Sequence, residues 1–349
     1  RSTLFPYTTL FRSPYRLERR LQSALADVRV TVADFPAMRE RVRSLVSELA
    51  SEPPPLRVAE IDEARSLLDW MEGQHFVFLG YRHYRLERGR STDRLIPDAK
   101  SGLGLLRAGH GNHPRPLPTT LQGELRKRAR EPNLLILTKA NSIATVHRAT
   151  YLDYIGVKEF DAKCNVIGEH RFLGLWTSTV YHRSPRDIPV LREKVARVVD
   201  HFGLDPQSHD AKAVISVLES HPRDELFQAS VEDLIYIVRG VVNLYERRTV
   251  RLLLRRDPYQ RFYSCLIYVP RDRYNSEVRA RIERIIRDAF NGRSLETQVQ
   301  ISESSHARVH VVVRTDPAER RKVDVPAVER AIAEAATNWL DHQIGRAHV

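Results

Sequence analysis

Tyr151-Leu-Asp-Tyr-Ile-Gly-Val-Lys-Glu-Phe160, Asp161-Ala-Lys-Cys-Asn165 and Gly168-Glu-His-Arg-Phe-Leu-Gly-Leu-Trp-Thr-Ser-Thr-Val-Tyr181 read as strand, turn and strand. Aromatic and β-branched residues dominate both runs, and Asp and Asn punctuate the link between them. So short a link makes the pair antiparallel, because parallel strands need a crossover of a dozen residues or more. Three further runs have strand character. In His75 to Tyr81, Phe76, Phe78 and Val77, Leu79, Tyr81 fill both faces, and Leu134 to Thr138 and Ala144 to His147 follow. We expect one mostly antiparallel β domain over residues 75–185, with Gly89 to Arg130, rich in Gly, Pro and Arg, as an exposed insertion.

Upstream, residues 14–74 read as helical. Leu17, Leu21, Leu25 and Val28 recur at spacings of three and four, and so do Met38, Val42, Leu45 and Leu49 after Asp34-Phe-Pro36, which predicts two helices. Ser51-Glu-Pro-Pro-Pro55 breaks the pattern. A third helix carries Ala64, Leu67, Leu68 and Met71 on one side and ends at Gly73. Residues 186–246 read as a helical connector. Pro189 takes a first-turn position before Leu191, Val195, Val198, Val199 and Phe202, with Gly203 just past the end. Ser208 caps a second helix that His221-Pro222 stops, and Ser230 with Asp233 opens a third that runs to about Tyr245.

Residues 247–343 read strand, strand, helix, strand, strand, helix. Val250, Leu252 and Leu254 alternate with Arg251 and Arg255; Asp257-Pro-Tyr-Gln260 turns the chain into Phe262 to Val269. A helix from about Asn275 buries Val278, Ile282, Ile285, Ile286 and Ala289 and ends at Gly292. Leu295 to Ile301 then pairs with Arg308 to Arg314, and Val325 to Leu340 forms the last helix. Each element has one apolar face, so a sheet layered on helices is the economical arrangement, in a ferredoxin-like pattern. The predicted fold class is α+β.

The chain has 349 residues, 42% hydrophobic and 29% charged, which suits two or three folded domains and argues against wholesale disorder. No apolar run approaches the roughly 18 residues of a spanning helix. Two cysteines, Cys164 and Cys265, are too few for a disulfide framework and suit a reducing, cytoplasmic setting. Arg1 to Ser13 and Ile344 to Val349 do not continue the patterns beside them and resemble translated sequencing-adaptor sequence. We expect the reading frame to start near Pro14 and the flanks 1–13 and 344–349 to be non-native. Setting aside Arg1, Arg12 and Arg346 takes the formal charge from +12 to +9, still basic.

That basicity invites a nucleic-acid reading. However, Glu277 lies four before Arg281 and Glu283 four before Arg287, spacings that neutralise part of the face, and no helix-turn-helix, RRM signature or zinc finger accompanies them. Gly102-Leu-Gly-Leu-Leu-Arg107 has Arg at the third glycine position of a dinucleotide cradle and opens no helix, so it reads as a loop. Ser208-His209-Asp210 holds triad residue types, but neighbours on one helical turn cannot form the relay, and capping by Ser208 is preferred. His306 and His310 have a metal-pair spacing only on a helix, and this segment reads as strand; His110 and His113 read as solvated. Pro222-Arg-Asp-Glu-Leu-Phe-Gln228 joins two helices: either a joint whose Leu226 and Phe227 pack inward, or a contact that carries a signal. No catalytic, cofactor-binding or metal-ligating residue is assigned.

Arg171 to Tyr181, Ser184-Pro-Arg-Asp-Ile-Pro-Val-Leu-Arg192, Ser208-His-Asp210 and Pro222 to Gln228 together resemble the N-terminal region of the very large bacterial NAD-specific glutamate dehydrogenases. His75-Phe-Val-Phe-Leu-Gly-Tyr-Arg82, Leu137-Thr-Lys-Ala-Asn-Ser142, Val146-His-Arg148 and Tyr268-Val-Pro-Arg-Asp-Arg-Tyr-Asn275 add to it, and the resemblance covers roughly Tyr15 to Leu340. It implies a PAS-like β domain followed by an ACT-like one, upstream of a catalytic domain that oxidises L-glutamate to 2-oxoglutarate and ammonia with NAD. On that basis we expect a regulatory or assembly fragment that binds no NAD itself and lacks catalytic residues. Its partners would be the downstream catalytic domain, further copies in a homo-oligomer and an amino-acid effector, with neither membrane nor nucleic acid. The alternatives are a purely structural oligomerisation module and a basic nucleic-acid-binding module.

Overall fold

The computed structural model describes residues 14–110, 117–244, 247–302, 304–316 and 323–337. The expected non-native flanks lie outside these, as do His113, Tyr245 and residues 338–340 of the expected last helix. The described residues form two compact units. The first takes the chain up to Glu193 together with Pro222–Gln228; the second takes Lys194–His221 and everything from Ala229.

In the first unit α1 spans Pro14–Ser51 and α2 spans Val58–Trp70. The two helices expected before residue 50 are one, with Pro36 inside it. An interior proline costs roughly 3 kcal/mol, but Met38, Val42, Leu45 and Leu49 continue the buried stripe beyond it, so packing holds the helix together. The third helix stands where expected. Its exit is a π-turn, Met71–His75, in which Gln74 and not Gly73 takes the left-handed conformation (φ 70°).

The sheet of this unit comprises β1 (Phe76–Arg88), β2 (Asp93–Pro97), β3 (Leu103–Gly104), β4 (Thr119–Leu121), β5 (Leu135–Ile143), β6 (Tyr151–Phe160) and β7 (Val166–Trp176). Its order is β4-β2-β1-β7-β6-β5, with β3 also on β1, and every pairing is antiparallel. Three expectations are corrected. Ala144–His147 is a series of bends, in which His147 has φ 76°. Thr177 leaves the sheet and Ser178–His182 turns as the short α4. The supposed insertion Gly89–Arg130 supplies β2, β3, β4 and α3 (Gly123–Arg130). Burial of Asp93 explains the last: its carboxylate accepts from Arg126 Nε (3.1 Å) and from Arg130 Nε and a terminal nitrogen (2.6 and 2.7 Å), so the arginines that suggested exposure fasten the segment to the sheet.

α5 (Leu191–Phe202), whose residues from Lys194 on open the second unit, begins after Val190, a left-handed residue at φ 69°, so Pro189 precedes the helix and is not in its first turn. α6 (His209–Ser220) is capped by Ser208, whose Oγ accepts from the Ala211 amide at 3.1 Å. The next helices are α7 (Arg223–Gln228), unforeseen from the sequence and grouped with the first unit, and α8 (Val231–Val242), whose Ser230–Asp233 capping box is present. Then come β8 (Arg251–Arg256), β9 (Phe262–Pro270), α9 (Ser276–Phe290), β10 (Ser294–Gln300), β11 (His306–Arg314) and α10 (Val325–Ala335). The sheet order is β10-β11-β9-β8, all antiparallel, so β9 and β10 run the same way with β11 between them. This split β-α-β unit is the ferredoxin-like signature. Cys265, Ile267 and Val269 of β9 and Val309, Val311 and Val313 of β11 pack with Val278, Ile282 and Ile286 of α9 and Ile332 of α10. Asn291 at φ 50°, not Gly292, closes α9. Glu277 pairs with Arg281 as expected, whereas Glu283 turns back to Arg279 (3.6 Å).

Candidate functional site

Strand alternation decides which side chains of β9 and β11 leave the apolar core. Tyr268 lies opposite Arg308 in register, and Leu266 opposite His310, on the face away from α9 and α10. Of these, Tyr268 and Arg308 line, with His306, a cavity of about 260 Å³ whose other walls are Ser216 and Ser220 of α6, Val241 of α8, Leu244 just beyond it, and Gln300, Ser302 and Ser304. Hydroxyls, one imidazole and one guanidinium on an apolar floor make the composition of a small polar-ligand site.

Arg308 is the charge in this cavity. It donates to the Ser220 carbonyl (2.5 Å) and to the Gln300 side-chain oxygen. Burial lowers its pKa, but a guanidinium stays protonated at neutral pH. His306 Nε2 lies 3.1 Å from the Thr249 carbonyl and Nδ1 3.0 Å from Ser305 Oγ, while His310 Nε2 lies 2.9 Å from Ser264 Oγ. The two imidazoles considered as a metal pair therefore have separate partners.

The first unit places the other singled-out residues. Gly104, at φ 58°, gives its N–H to Asp34 Oδ2 at 2.8 Å, and Arg107 Nε binds the same oxygen at 2.9 Å, so Gly102–Arg107 grips α1. His110, read as solvated, contacts Asp27 Oδ1 at 2.7 Å and is mostly buried there. The segment Pro222–Gln228 buries Leu226 and Phe227 and places Asp224 3.2 Å from Lys139 Nζ. Lys139 also meets Asp153 at 2.7 Å, and Tyr181 donates to Asp224 at 3.0 Å. Burial pulls the Lys139 ammonium down, but the two carboxylates outweigh it and raise the pKa. Segments that the sequence quoted separately, around Lys139, Trp176, Tyr181 and Asp224, thus converge on one cluster.

One constellation escaped sequence reasoning. His83 on β1, Glu159 on β6 and His170 on β7 lie on one face, with ligand atoms all within 4.8 Å of each other. His83 Nε2 is 2.9 Å and His170 Nε2 2.6 Å from the Glu159 carboxylate. Burial pushes Glu159 up, yet hydrogen bonds to both imidazoles outweigh it and hold the carboxyl well below its ordinary range; burial lowers His170. Counting outward from the Asp161–Asn165 turn pairs Glu159 with Ile167 and puts it on the opposite face from His170; the register shift between Glu159 and Phe160, which pairs Glu159 with Gly168, brings the two together and carries no sequence signal.

Comparison with known proteins agrees with this architecture. The family model described as glutamate dehydrogenase, ACT2 domain, matches residues 251–340, and that described as glutamate dehydrogenase, helical motif 1, matches residues 188–247. The chain is 39% identical over 328 residues to the NAD-specific glutamate dehydrogenase of Pseudomonas aeruginosa and 35% identical over 326 residues to that of Halomonas elongata, 93% of the chain in each case. It is 31% identical over 344 residues, 95% of its length, to that of Mycobacterium tuberculosis. The chain spans 20% of the length of these curated relatives. No helix among the described residues is long and apolar enough to cross a membrane. The chain belongs to the NAD-specific glutamate dehydrogenase family.

Proposed function

We propose that this chain is a regulatory segment of an NAD-dependent glutamate dehydrogenase. A small amino acid binds in the 260 Å³ cavity of the ACT-like unit and biases assembly or closure of a catalytic portion that converts L-glutamate, NAD and water to 2-oxoglutarate, ammonia and NADH. The carrying observation is Arg308: a guanidinium beside Tyr268, His306 and four serines matches an α-carboxylate with its polar neighbours. Regulation further requires that the effector bind two conformations unequally. In this reading the segment is cytoplasmic, NAD is held by the catalytic portion, and the β domain is PAS-like, for which its antiparallel sheet is the support.

Titration calorimetry of the 349-residue chain against the common amino acids tests the proposal. Saturable heat that Arg308→Met abolishes is the expected result, and flat traces for all of them refute it.

A second reading, subunit assembly, draws on β10. This edge strand exposes Val299, and Ile301 follows it in the open, the kind of edge that pairs with another sheet. Light scattering after size exclusion gives its answer: a ligand-independent oligomer favours assembly, and a monomer at all concentrations counts against it.

A further inference from the structure

We propose that His83, Glu159 and His170 form a binding site for a first-row divalent transition-metal ion of the zinc type. The inference concerns the β unit and stands apart from the amino-acid reading of the ACT-like unit.

Register builds the site. His83 and His170 are directly opposed on β1 and β7, while Glu159 pairs with Gly168, two residues along β7 from His170. Three neighbouring strands therefore present two imidazoles and a carboxylate from one face, on a rigid support. Gly168 makes the convergence possible: a Cβ there would lie 2.3 Å from Glu159 Oε2 and 3.2 Å from His83 Nε2. Any other residue at 168 would fill the space where the donors meet.

The surroundings resemble those of a ligating histidine. His170 keeps Nε2 toward Glu159 because its Nδ1 is engaged by the Tyr81 hydroxyl at 2.8 Å, the outer contact that fixes tautomer and ring orientation in metal sites. Two imidazoles and one carboxylate form a borderline donor set that suits zinc and its first-row neighbours over calcium or magnesium. Zinc sits about 2.0–2.2 Å from such donors, so small side-chain rotations close the present spacings around an ion. His170 and Glu159 also line a cavity of about 480 Å³ with Glu48, Glu52 and Asp161, which leaves an open coordination position facing water and carboxylates.

One group opposes the ion. A terminal nitrogen of Arg41 lies 3.5 Å from His170 Nε2, held by an Arg41 Nε bond to Tyr81 Oη (3.0 Å) and by Glu48 (2.8 Å). A bound metal must displace that nitrogen, so Arg41 competes with it.

Cobalt and zinc titrations of the full chain test the site. Cobalt(II) is expected to give ligand-field absorption of low-symmetry coordination, saturating at one equivalent and bleached by zinc. His83→Gln and Glu159→Gln should each weaken zinc at least 10-fold while circular dichroism stays native; both positions are partly exposed, so folding survives. Arg41→Gln should tighten zinc. The absence of saturable binding overturns the proposal. So does binding that neither His83→Gln nor Glu159→Gln weakens, or zinc affinity in Arg41→Gln that is unchanged or lower.

Discussion

The rings of Trp176 and Phe227 stack with centroids 4.5 Å apart and planes 8° from parallel. Trp176 ends β7, whereas Phe227 lies in a seven-residue segment bounded on both sides by helices of the other unit. The chain therefore leaves the β unit, returns to anchor one aromatic ring on its sheet, and leaves again.

If the stack anchors Pro222–Gln228, truncating its buried ring should be costly. Phe227→Ala is expected to destabilise the β unit by about 3–5 kcal/mol, read as a lowered urea midpoint with an altered near-ultraviolet signal from Trp176. A loss under about 1 kcal/mol would show the ring to be dispensable.

Lys139 is the polar counterpart of that anchor. Lys139→Met leaves Asp153 and Asp224 without their shared ammonium, and breaking one side of such a buried pair costs about 3–5 kcal/mol. Asp153→Leu in the same background should recover part of the loss, because the two residues are coupled. Additive losses in a double-mutant cycle would contradict the contact.

Asp93 predicts an acid limb. Hydrogen bonds from Arg130, outweighing burial, lower its carboxyl to about 2 from an ordinary 3.8. Because the folded value is depressed, the native state binds fewer protons than the unfolded one between those pH values. The contribution is complete above about pH 4 and disappears as pH falls through about 2. Asp93→Asn should lower stability at pH 7 and flatten its dependence between pH 4 and 2; an unchanged slope would dissociate Asp93 from the acid transition.

Gly104 combines two demands, a left-handed φ of 58° and a Cβ position 2.3 Å from the Leu79 carbonyl oxygen. Gly104→Ala must shift backbone that also feeds Asp34. It should cost more than the roughly 1 kcal/mol of left-handed strain alone, and thermal melts of the variant would measure it. A neutral effect would mean that the β3 turn is not the grip on α1 described here.

Much of the fold was readable in the residues. Period-two alternation located β8 and three-and-four spacing located α2, α5, α6 and α9, because each pattern reports a buried face; aromatic and β-branched content located β6, and the Asp257–Gln260 turn located β9. Where the reading failed, something distant intervened. Pro36 marks a helix end by local rule, yet the stripe of Met38 and Val42 carries α1 through it. Arginines at 126 and 130 suggested an exposed loop, but they close on Asp93. Helix ends assigned to Gly73 and Gly292 fall on Gln74 and Asn291, since the chain needed a left-handed residue one place away.

The sequence by itself determined most of the elements, the ferredoxin-like succession of the last unit and the family, because local propensity and motif identity need no third dimension. Only the tertiary structure decided which charges meet. Arg308 faces a cavity, Lys139 finds Asp224, and His83 joins Glu159 and His170 through strand register and chain return. Those encounters join residues far apart in the chain, and no periodicity within one element encodes them.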